Sequence, residues 1–504
     1  MANKILFTVF LWFCCFCTIK AQVWPKYYGQ QNRREYAVDI IETYDNGYLI
    51  CGYYSSTDFT QRWGWLIKTN INGDILWEKI IENEGSRFKP YAIEEAQDGG
   101  VLICGMSYHN NKNYPIVLKL NACGEKEWCK IFEGSPNAFP VAKDIKETDN
   151  GDIVVLVQMF GNNPQETIHL FKLNASSEVI WKKSFATTLN YPNTNLKLCN
   201  SIFISTEGKY LISGDAYWEQ PWNPGGAMPL TPLFIMVDSN GNEEWVLPFG
   251  LNDTIIGRAY STIEVNGDNF IGLASFSGQT TIHPMFLKFD KNGNELALTH
   301  LNPASINPNL NTGHLSQMFE RDNIYHAQGS FGFLPSNQPI PVTLVNIDTA
   351  LYNSTPTIYN YLIQTNTEWP HSLEITNDFK LLSGTNYRVS STNFDIFLAK
   401  LNLNLEYDTA YTGNFTYDSL CIPGSPQSGF IYLNDCAIDM DLPGDSNCDA
   451  AVNVNDVVSS VARILGGNPQ PFCFQNADVN GDGVLNVADV VGTVSIIVSR
   501  RGRY

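Results

Sequence analysis

Short apolar runs alternate with turns that contain glycine and asparagine from Trp24 to about Gly413. Each unit has four runs: a polar–apolar run, a short apolar run that ends in glycine, a further apolar run, and a last run that often begins with tryptophan. The first copy contains YDNGYLICG (44–52) and WLIKTNINGDILWEK (65–79). Runs of this length, bounded by such turns, predict β-strands.

Seven copies of this pattern follow one another with a period near 50 residues. The spacing is 53 residues from Gly52 to Gly105 and again from Trp128 to Trp181. Four short strands per repeat at this period predict a β-propeller, whereas a stacked array of β-sandwiches would not need one continuous period. We therefore predict a mainly β fold in which residues 22–413 form a seven-bladed β-propeller.

The first residues of this region match the last strand of later repeats. VWPKYYG (23–29) has the pattern of ILWEKII (75–81), and Trp24 lies 53 residues before Trp77. We expect this segment to supply the outermost strand of the last blade, because joining the two ends of the ring removes exposed sheet edges. The repeats resemble secreted bacterial propeller proteins of the D-G-G-Y-I-x-x-G type, and that resemblance implies a fold more than an activity.

A different pattern occupies the C-terminal sixty residues. GDSNCDAAVNVNDVV (444–458) and ADVNGDGVLNVADVV (477–491) match at a constant offset of 33 residues. The apolar residues that follow keep the same offset and recur at helical spacing, so each loop should lead into a helix with one buried face. These pairs are Val457/Val490, Val461/Val494 and Ile464/Ile497.

Both loops carry oxygen-bearing groups at the spacing that calcium requires. Ca²⁺ takes six to eight oxygens at about 2.3–2.6 Å, and a tight loop supplies them from positions 1, 3, 5, 7, 9 and 12. We expect two ions, the seventh position giving a backbone carbonyl. The predicted ligands are Asp445, Asn447, Asp449, Ala451, Asn453 and Asp456 in loop 1, and Asp478, Asn480, Asp482, Val484, Asn486 and Asp489 in loop 2.

This duplicated DxNxDxxxNxxDVV pattern, with no helix before the first loop, resembles a type I dockerin over roughly residues 443–498. In that family the two loop–helix units fold together and bind a cohesin module on a scaffold protein. The resemblance implies a small α-helical, dockerin-like calcium-binding domain at 443–504 and a cohesin-like partner or scaffold. In dockerins, the positions that recognise the partner are often Ser-Thr. Here they are Val454, Asn455, Val487 and Ala488.

Composition, net charge and the N-terminal segment limit the binding partners and the cellular location that can be expected. Aromatic residues make up 12% of the chain and charged residues 16%, which is typical of a globular protein. The net charge of −19 disfavours nucleic acid as a partner. Residues 1–21 read as a signal peptide, with Lys4 before an apolar stretch that is too short to span a membrane, and no later stretch is long enough. We expect a secreted protein, extracellular or at the cell surface; cleavage as a lipoprotein is the alternative.

Nine of the 12 cysteines follow the signal peptide, and an exported protein can form disulfides. Local pairs are the predicted bridges, and residues 414–442 read as a connector because proline, glycine and serine break regular structure there. We expect the remaining Cys51, Cys104 and Cys199 to be buried thiols. The predicted pairs are Cys123–Cys129, Cys421–Cys436 and Cys448–Cys473.

After the predicted signal peptide, the sequence has no nucleophile elbow, HExxH, phosphate-binding glycine loop or CxxC pair. Carboxylates on innermost strands, Asp39 and Asp144, could serve a glycosidase, but a polar channel lining is the favoured interpretation. The insertion 215–232 carries Tyr217, Trp218 and Trp222, which suit loop packing or sugar stacking.

We therefore predict a non-catalytic binding protein whose tail docks to a partner and whose propeller presents a recognition face. By the dockerin resemblance, the setting is extracellular polysaccharide binding or catabolism. One alternative is a propeller glycoside hydrolase or lyase that the tail delivers. Another is a tail that serves only as a calcium-stabilised structural cap.

Overall fold

The fold is seen in a computed structural model. It describes residues 24–31, 33–56, 61–82, 87–109, 112–132, 140–159, 168–185, 197–217, 230–248, 257–265, 267–277, 282–306, 312–332, 342–348, 358–363, 372–390, 393–412, 421, 428–439, 443–447, 452–469, 472–480 and 484–501. The predicted signal peptide lies outside these residues.

In the described part of the chain, strands dominate and fall into seven consecutive groups, followed by two short strands and a helical tail. The first group is β2–β5 (Arg34–Glu42, Tyr48–Ser55, Arg62–Thr69, Ile75–Glu82), and β1 (Lys26–Tyr28) precedes it. The second is β6–β9 (Arg87–Glu95, Val101–His109, Lys112–Leu120, Lys126–Phe132). The third is β10–β13 (Val141–Glu147, Ile153–Gln158, Ile168–Leu173, Val179–Ser184). The fourth is β14–β17 (Lys197–Ile204, Tyr210–Tyr217, Leu230–Val237, Glu243–Pro248).

The fifth group is β18–β21 (Gly257–Val265, Asn269–Ser277, Ile282–Asp290, Glu295–His300), followed by the short helix α1 (Pro303–Ile306). The sixth is β22–β25 (Thr312–Arg321, Ile324–Gly332, Val342–Asp348, Ile358–Ile363). The seventh is β26–β28 (Ser372–Ile375, Leu381–Arg388, Phe394–Leu401). Strands β29 (Gly429–Tyr432) and β30 (Ala437–Asp439) come next, and then α2 (Val454–Ile464), α3 (Phe474–Ala477) and α4 (Val487–Arg501).

Each group is an antiparallel meander, and the groups are arranged in sequence around a centre. The first strand of each group contacts the first strand of the next, from β2 through β6, β10, β14, β18 and β22 to β26, and β26 contacts β2. Strand β1 pairs antiparallel with β28, with Tyr27 opposite Phe397, so the start of the chain supplies the last strand of the seventh group. The prediction of a mainly β, propeller-like fold is confirmed, as is the placement of the N-terminal strand.

The core lies between neighbouring groups. Ile41 and Leu66 of the first group pack in one buried cluster with Ile103 and Leu118 of the second. The middle strands are buried on both faces, as in β11, where all six residues are buried. Burying apolar area at about 25 cal/mol per Å² is what drives such sheets together. Cys51, Cys104 and Cys199 are free and buried, as predicted.

Tryptophan rings at the outer strands pack closely against glycines of the neighbouring group. A Cβ added at Gly124 would lie 2.6 Å from the Trp77 ring, and one added at Gly73 would lie 2.8 Å from the Trp24 ring. Both glycines have positive φ, which suits residues without a side chain. Trp24 and Trp77 are 1% and 2% exposed, so both rings are buried in the packing between groups.

Tight turns join strands at one rim of the sheets, which we call the turn rim. Asp238 Oδ1 accepts hydrogen bonds from the backbone N–H of Asn240 (2.9 Å) and Asn242 (2.8 Å). Asp290 does the same for Asn292 and Asn294. These two segments are therefore tight turns that their own aspartates stabilise. The other rim, where β2, β6 and β10 begin, we call the loop rim.

Residues 428–439 are not a free connector, and the prediction of a linker over 414–442 is wrong there. Strand β29 pairs parallel with the outer strand β5, and β30 pairs parallel with the outer strand β9. Ile431 and Leu433 are buried in the same cluster as the first two groups. We call Cys421 and residues 428–439 together the strap. It covers two sheet edges that would otherwise present unpaired backbone groups.

The predicted local disulfides Cys123–Cys129 and Cys421–Cys436 are wrong, although all four cysteines are bridged. The bridges run from Cys123 to Cys421 and from Cys129 to Cys436. The strap brings its cysteines against the second group, a juxtaposition that sequence proximity could not indicate. Cys473 is also disulfide-bonded, and its predicted partner Cys448 lies outside the described residues.

The tail consists of α2, α3 and α4, with α2 and α4 in contact. The expected buried apolar face is wrong for several positions. Val461, Val494 and Ile464 are 38%, 43% and 36% exposed. The buried residues of α2 are Asp456, Ser459 and Ser460. Across the described residues, no helix combines the length and apolar character that crossing a membrane requires.

Candidate functional site

Each of the first six inner strands carries a β-bulge at an equivalent place. One extra residue interrupts the register with the second strand of the same group. Bulges re-aim side chains and are over-represented beside active sites. The extra residues are Val38, Tyr91, Lys143, Asn200, Tyr260 and Ser316.

The residues that follow the bulges join neighbouring groups. Asp39 Oδ2 accepts from the backbone N–H of Ile93 (3.1 Å), and Asp144 Oδ2 accepts from that of Ile202 (2.8 Å). Ser372 Oγ donates to Asp39 Oδ1 at 2.7 Å, which connects the last group to the first. These two carboxylates therefore hold the ring of inner strands together, and they do not form a free catalytic pair.

One lysine lies among the carboxylates of these inner strands. Lys146 Nζ forms an ion pair with Glu94 Oε2 at 2.5 Å. The pKa of Glu374 is raised to about 8, first of all by burial, with Lys146 lowering it and the negative charges of Asp39 and Glu94 adding to the rise. Burial likewise raises the pKa of Asp144. The centre of the ring is therefore acidic and only partly compensated.

Aromatic rings and cations meet at the loop rim. Lys89 Nζ lies 4.8 Å and Lys143 Nζ 5.0 Å from the centre of the Tyr91 ring, so residues of the second and third groups share one ring. Lys89 also lies 5.2 Å and Arg62 5.9 Å from the Tyr53 ring. Burial raises the pKa of Tyr91 although Arg62 opposes it, so its hydroxyl stays protonated at neutral pH.

This cluster extends along the same rim. Tyr54 and Trp63 stack with ring centres 4.9 Å apart, and Arg33 lies 4.4 Å over Tyr54. Arg87 lies 5.1 Å from the Tyr108 ring. We define the aromatic–cation surface as the half-buried rings of Tyr53, Trp63, Tyr91 and Tyr108 together with Arg33, Arg62, Arg87, Lys89 and Lys143.

A buried carboxyl lies farther round the rim, between the fourth and fifth groups. Asp215 is 1% exposed and accepts from the Ala259 N–H at 3.1 Å and from Asn200 Nδ2 at 3.4 Å. Burial raises its pKa to about 7, while Arg258 lowers it. The side chain of Tyr217 and all of Trp218 and Trp222, the aromatic residues of the predicted insertion, lie outside the described residues.

The two tail loops have matching hydrogen bonds. Asp456 Oδ1 accepts from Asn447 N–H (3.1 Å) and Asp489 Oδ1 from Asn480 N–H (3.3 Å). The other oxygen accepts from the N–H of Asn453 (2.8 Å) or Asn486 (2.9 Å). Position 12 is thus tied to positions 3 and 9 in both loops.

Not all predicted calcium ligands can be placed. Asp445 and Asp456 are both buried, and Asp478 is half-buried. The Val484 carbonyl accepts from Asn486 Nδ2 at 3.0 Å. Asp449, Ala451 and Asp482 lie outside the described residues. Within the described part of the chain, no three His, Cys, Asp or Glu residues are grouped as a metal site.

The predicted partner-reading positions lie on the surface. Val454 and Val487 are 59% and 67% exposed, and Asn455 and Ala488 are exposed too. Each valine begins an exposed apolar stripe along its helix. The stripes are Val454, Val458, Val461 and Leu465 on α2, and Val487, Val491, Val494 and Val498 on α4.

No family profile and no curated protein matches the chain. Among solved structures it is similar to an ulvan lyase of polysaccharide lyase family PL25 (TM-score 0.48, 11% identity, 75% of this chain and 96% of that one). It is also similar to the β-propeller domain of the trilobed protease of Pyrococcus furiosus (0.42, 9%, 76% and 99%). A third likeness is to an α-L-arabinofuranosidase of Fusarium graminearum (0.39, 11%, 64% and 96%). At these levels the likenesses carry no argument about activity.

Sequence analysis missed the aromatic–cation surface. Its members come from three groups and have no shared motif, so only the arrangement of the sheets brings them together. One signal was present: Tyr91 and Lys143 lie 52 residues apart, at equivalent places of successive repeats.

Proposed function

We propose that this chain is an exported polysaccharide-binding protein. A seven-bladed propeller presents the aromatic–cation surface to a glycan, and the tail attaches the protein to a partner. The observation that carries the first part is the set of half-buried rings at the loop rim. The second part is supported by the two exposed stripes of the tail.

Half-buried rings suit sugar binding for a physical reason. A ring that is already packed on one side loses little conformational entropy when a ligand covers the other. Tyr36 stacks on Tyr53 with centres 4.9 Å apart, which fixes the orientation of Tyr53. The buried carboxylates Asp39, Asp144 and Asp215 all accept backbone hydrogen bonds. We therefore favour binding over cleavage by a carboxylate pair.

The tail is proposed to bind Ca²⁺ and to dock. Asp445, Asn447, Asn453 and Asp456 would hold one ion, and Asp478, Asn480, Asn486 and Asp489 the other, with Asp449, Asp482 and the carbonyls of Ala451 and Val484 completing the sets. Bound calcium would neutralise these carboxylates. Two matching apolar stripes, both exposed, support docking to a cohesin-like partner over a cap role, because a cap would bury them.

The glycan-binding proposal is tested with a panel of immobilised polysaccharides and the variants Tyr53→Ala and Tyr91→Ala. We expect each variant to weaken binding about tenfold, the equivalent of about 1.4 kcal/mol. Tyr411→Ala is the matched control, since Tyr411 is 67% exposed and not part of the surface. Equal binding by all four proteins would contradict the proposal. Release of shorter saccharides would instead support the hydrolase or lyase alternative.

A further inference from the structure

Most arginines of the sheet region lie at one rim, the loop rim. The chain has 51 acidic and 32 basic residues, yet arginine is concentrated where the aromatic rings lie. Of the seven arginines between residues 22 and 413, only Arg321 ends a strand at the turn rim. The six at the loop rim are Arg33, Arg34, Arg62, Arg87, Arg258 and Arg388.

Four lysines at the turn rim pair with carboxylates of their own group. Lys68 pairs with Asp45 at 2.6 Å and Lys119 with Asp98 at 2.6 Å. Lys172–Asp152 (3.0 Å) and Lys400–Asp378 (2.8 Å) repeat this arrangement. Their charge is therefore compensated inside the fold and is not available to a ligand.

The loop rim differs. Among the described residues, no carboxylate forms an ion pair with the loop-rim cations that follow: Arg33, Arg62, Arg87, Lys143, Arg258 and Arg388. Arg62 Nε is buried and has no hydrogen-bond partner within that part of the chain. An arginine held over a ring keeps its planar fork of N–H donors, which matches carboxylate and sulfate oxygens.

We infer that the glycan recognised at the aromatic–cation surface is a polyanion, a polysaccharide that carries carboxylate or sulfate groups. This inference rests on the polysaccharide-binding function proposed above. Sugar rings would stack on Tyr53 and Tyr91, and the anionic groups would lie against Arg62, Lys89 and Lys143. The cations span the first three groups, so the surface fits several successive residues of a polymer.

A nucleic acid is the competing polyanion. The overall charge of −19 disfavours it, because a long phosphate chain extends beyond the rim into the field of the acidic remainder. A polysaccharide with spaced charges meets that repulsion less often. Single-stranded DNA therefore belongs in the test as an arm that can overturn the inference.

The experiment measures affinity electrophoresis of the full chain in gels that contain dextran, dextran sulfate, polygalacturonate or single-stranded DNA. We expect retardation by dextran sulfate, polygalacturonate or both, and none by dextran. Comparing dextran sulfate with polygalacturonate shows whether sulfate or carboxylate groups are recognised. Raising salt from about 50 to about 500 mM should weaken retardation at least about tenfold, because cation–anion contacts are screened.

Arg62→Gln and Lys143→Gln should each reduce retardation about fivefold or more, the loss of one close charge contact. Lys291→Gln is the control, because it removes the same charge at the turn rim, where Lys291 pairs with Asp268 at 2.7 Å. Melting curves check folding, and Lys143→Gln serves if Arg62→Gln unfolds.

The contrary results separate the charge inference from the proposed glycan binding. Equal retardation by dextran would overturn the charge inference and leave glycan binding intact. Failure with every polysaccharide, in this test and in the broader panel, would remove both. Stronger retardation by DNA than by either charged glycan, or an equal loss with Lys291→Gln, would also overturn the inference.

Discussion

Glu374 shows at the scale of one residue how the ring of inner strands is balanced. Its carboxyl lies near Asp39 and Glu94, and burial, first of all, raises its pKa to about 8, with Lys146 opposing. A carboxyl whose pKa is raised in the folded state favours folding fully below its unfolded pKa of about 4.3. That contribution is lost as the pH rises through about 8, because folding then requires a buried negative charge.

We therefore predict that Glu374→Gln flattens the pH dependence of stability. The wild type should lose stability between about pH 5 and 9, and the glutamine variant should lose less, so that it is the more stable protein at about pH 9. Thermal unfolding followed by circular dichroism over this range measures the difference. Glu406→Gln, an exposed change at the turn rim, is the control. Parallel curves for wild type and Glu374→Gln would contradict the prediction.

Residue roles were only partly predictable. The polar column that contains Asp39 and Asp144 could be predicted from the repeat, because it follows from the period of the inner strands. The partners could not, because Asp39 bonds Ile93 and Ser372, which lie 54 and 333 residues away. Contacts between adjacent sheets depend on register and bulges, and a single sequence does not specify them.

At the scale of elements, the strap is the main departure from expectation. Its sequence is rich in residues that break helices and strands, yet β29 and β30 each add a strand to a neighbouring sheet. Apolar Ile431 and Leu433 bury against sheets that come some 300 residues earlier. Local sequence signals described the composition of the strap correctly but gave no indication of where it docks.

The strap yields a direct chemical prediction. Peptide mapping of the unreduced, secreted protein should recover Cys123 linked to Cys421 and Cys129 linked to Cys436. The double variant Cys421→Ser/Cys436→Ser should lose about 2–4 kcal/mol in denaturant unfolding, because both long loops are opened. Cys199→Ser, which removes a free buried thiol, controls for loss of a cysteine. Recovery of a Cys123–Cys129 peptide would refute the pairing.

Over the whole molecule, two bodies of different stability should be distinguishable. The sheets bury large apolar clusters between neighbouring groups, whereas the tail helices bury mainly polar residues. These are Asp456, Ser459, Ser460, Asp489 and Thr493. Acidic loops with so little apolar burial depend on a cation to neutralise them. The repeat period predicted the sheets because it recurs along most of the chain, and the duplicated loop pattern predicted that a helix follows each loop, as α2 and α4 do.

Calcium should therefore act on one transition only. In calorimetry of the full chain we expect two unfolding transitions, and adding Ca²⁺ to about 100 times its Kd should stabilise the tail by about 2.7 kcal/mol per site. Chelator should abolish that shift. Asp478→Ala should reduce it, while Asp268→Ala, an exposed acid of the propeller region, should not. If the unfolding temperature of the tail did not change with calcium, the proposal that the loops bind this ion would be wrong.

The bridged strap also fixes where the tail leaves the sheets. Asp439 is held by β9 and by an ion pair with Lys182 at 2.6 Å, and only three residues separate it from Pro443. Four residues of extended chain reach at most about 14 Å. A partner bound to the tail would thus be held beside the second and third groups by a short tether. Reducing agents that cut the two bridges would lengthen this tether and leave the aromatic–cation surface unchanged.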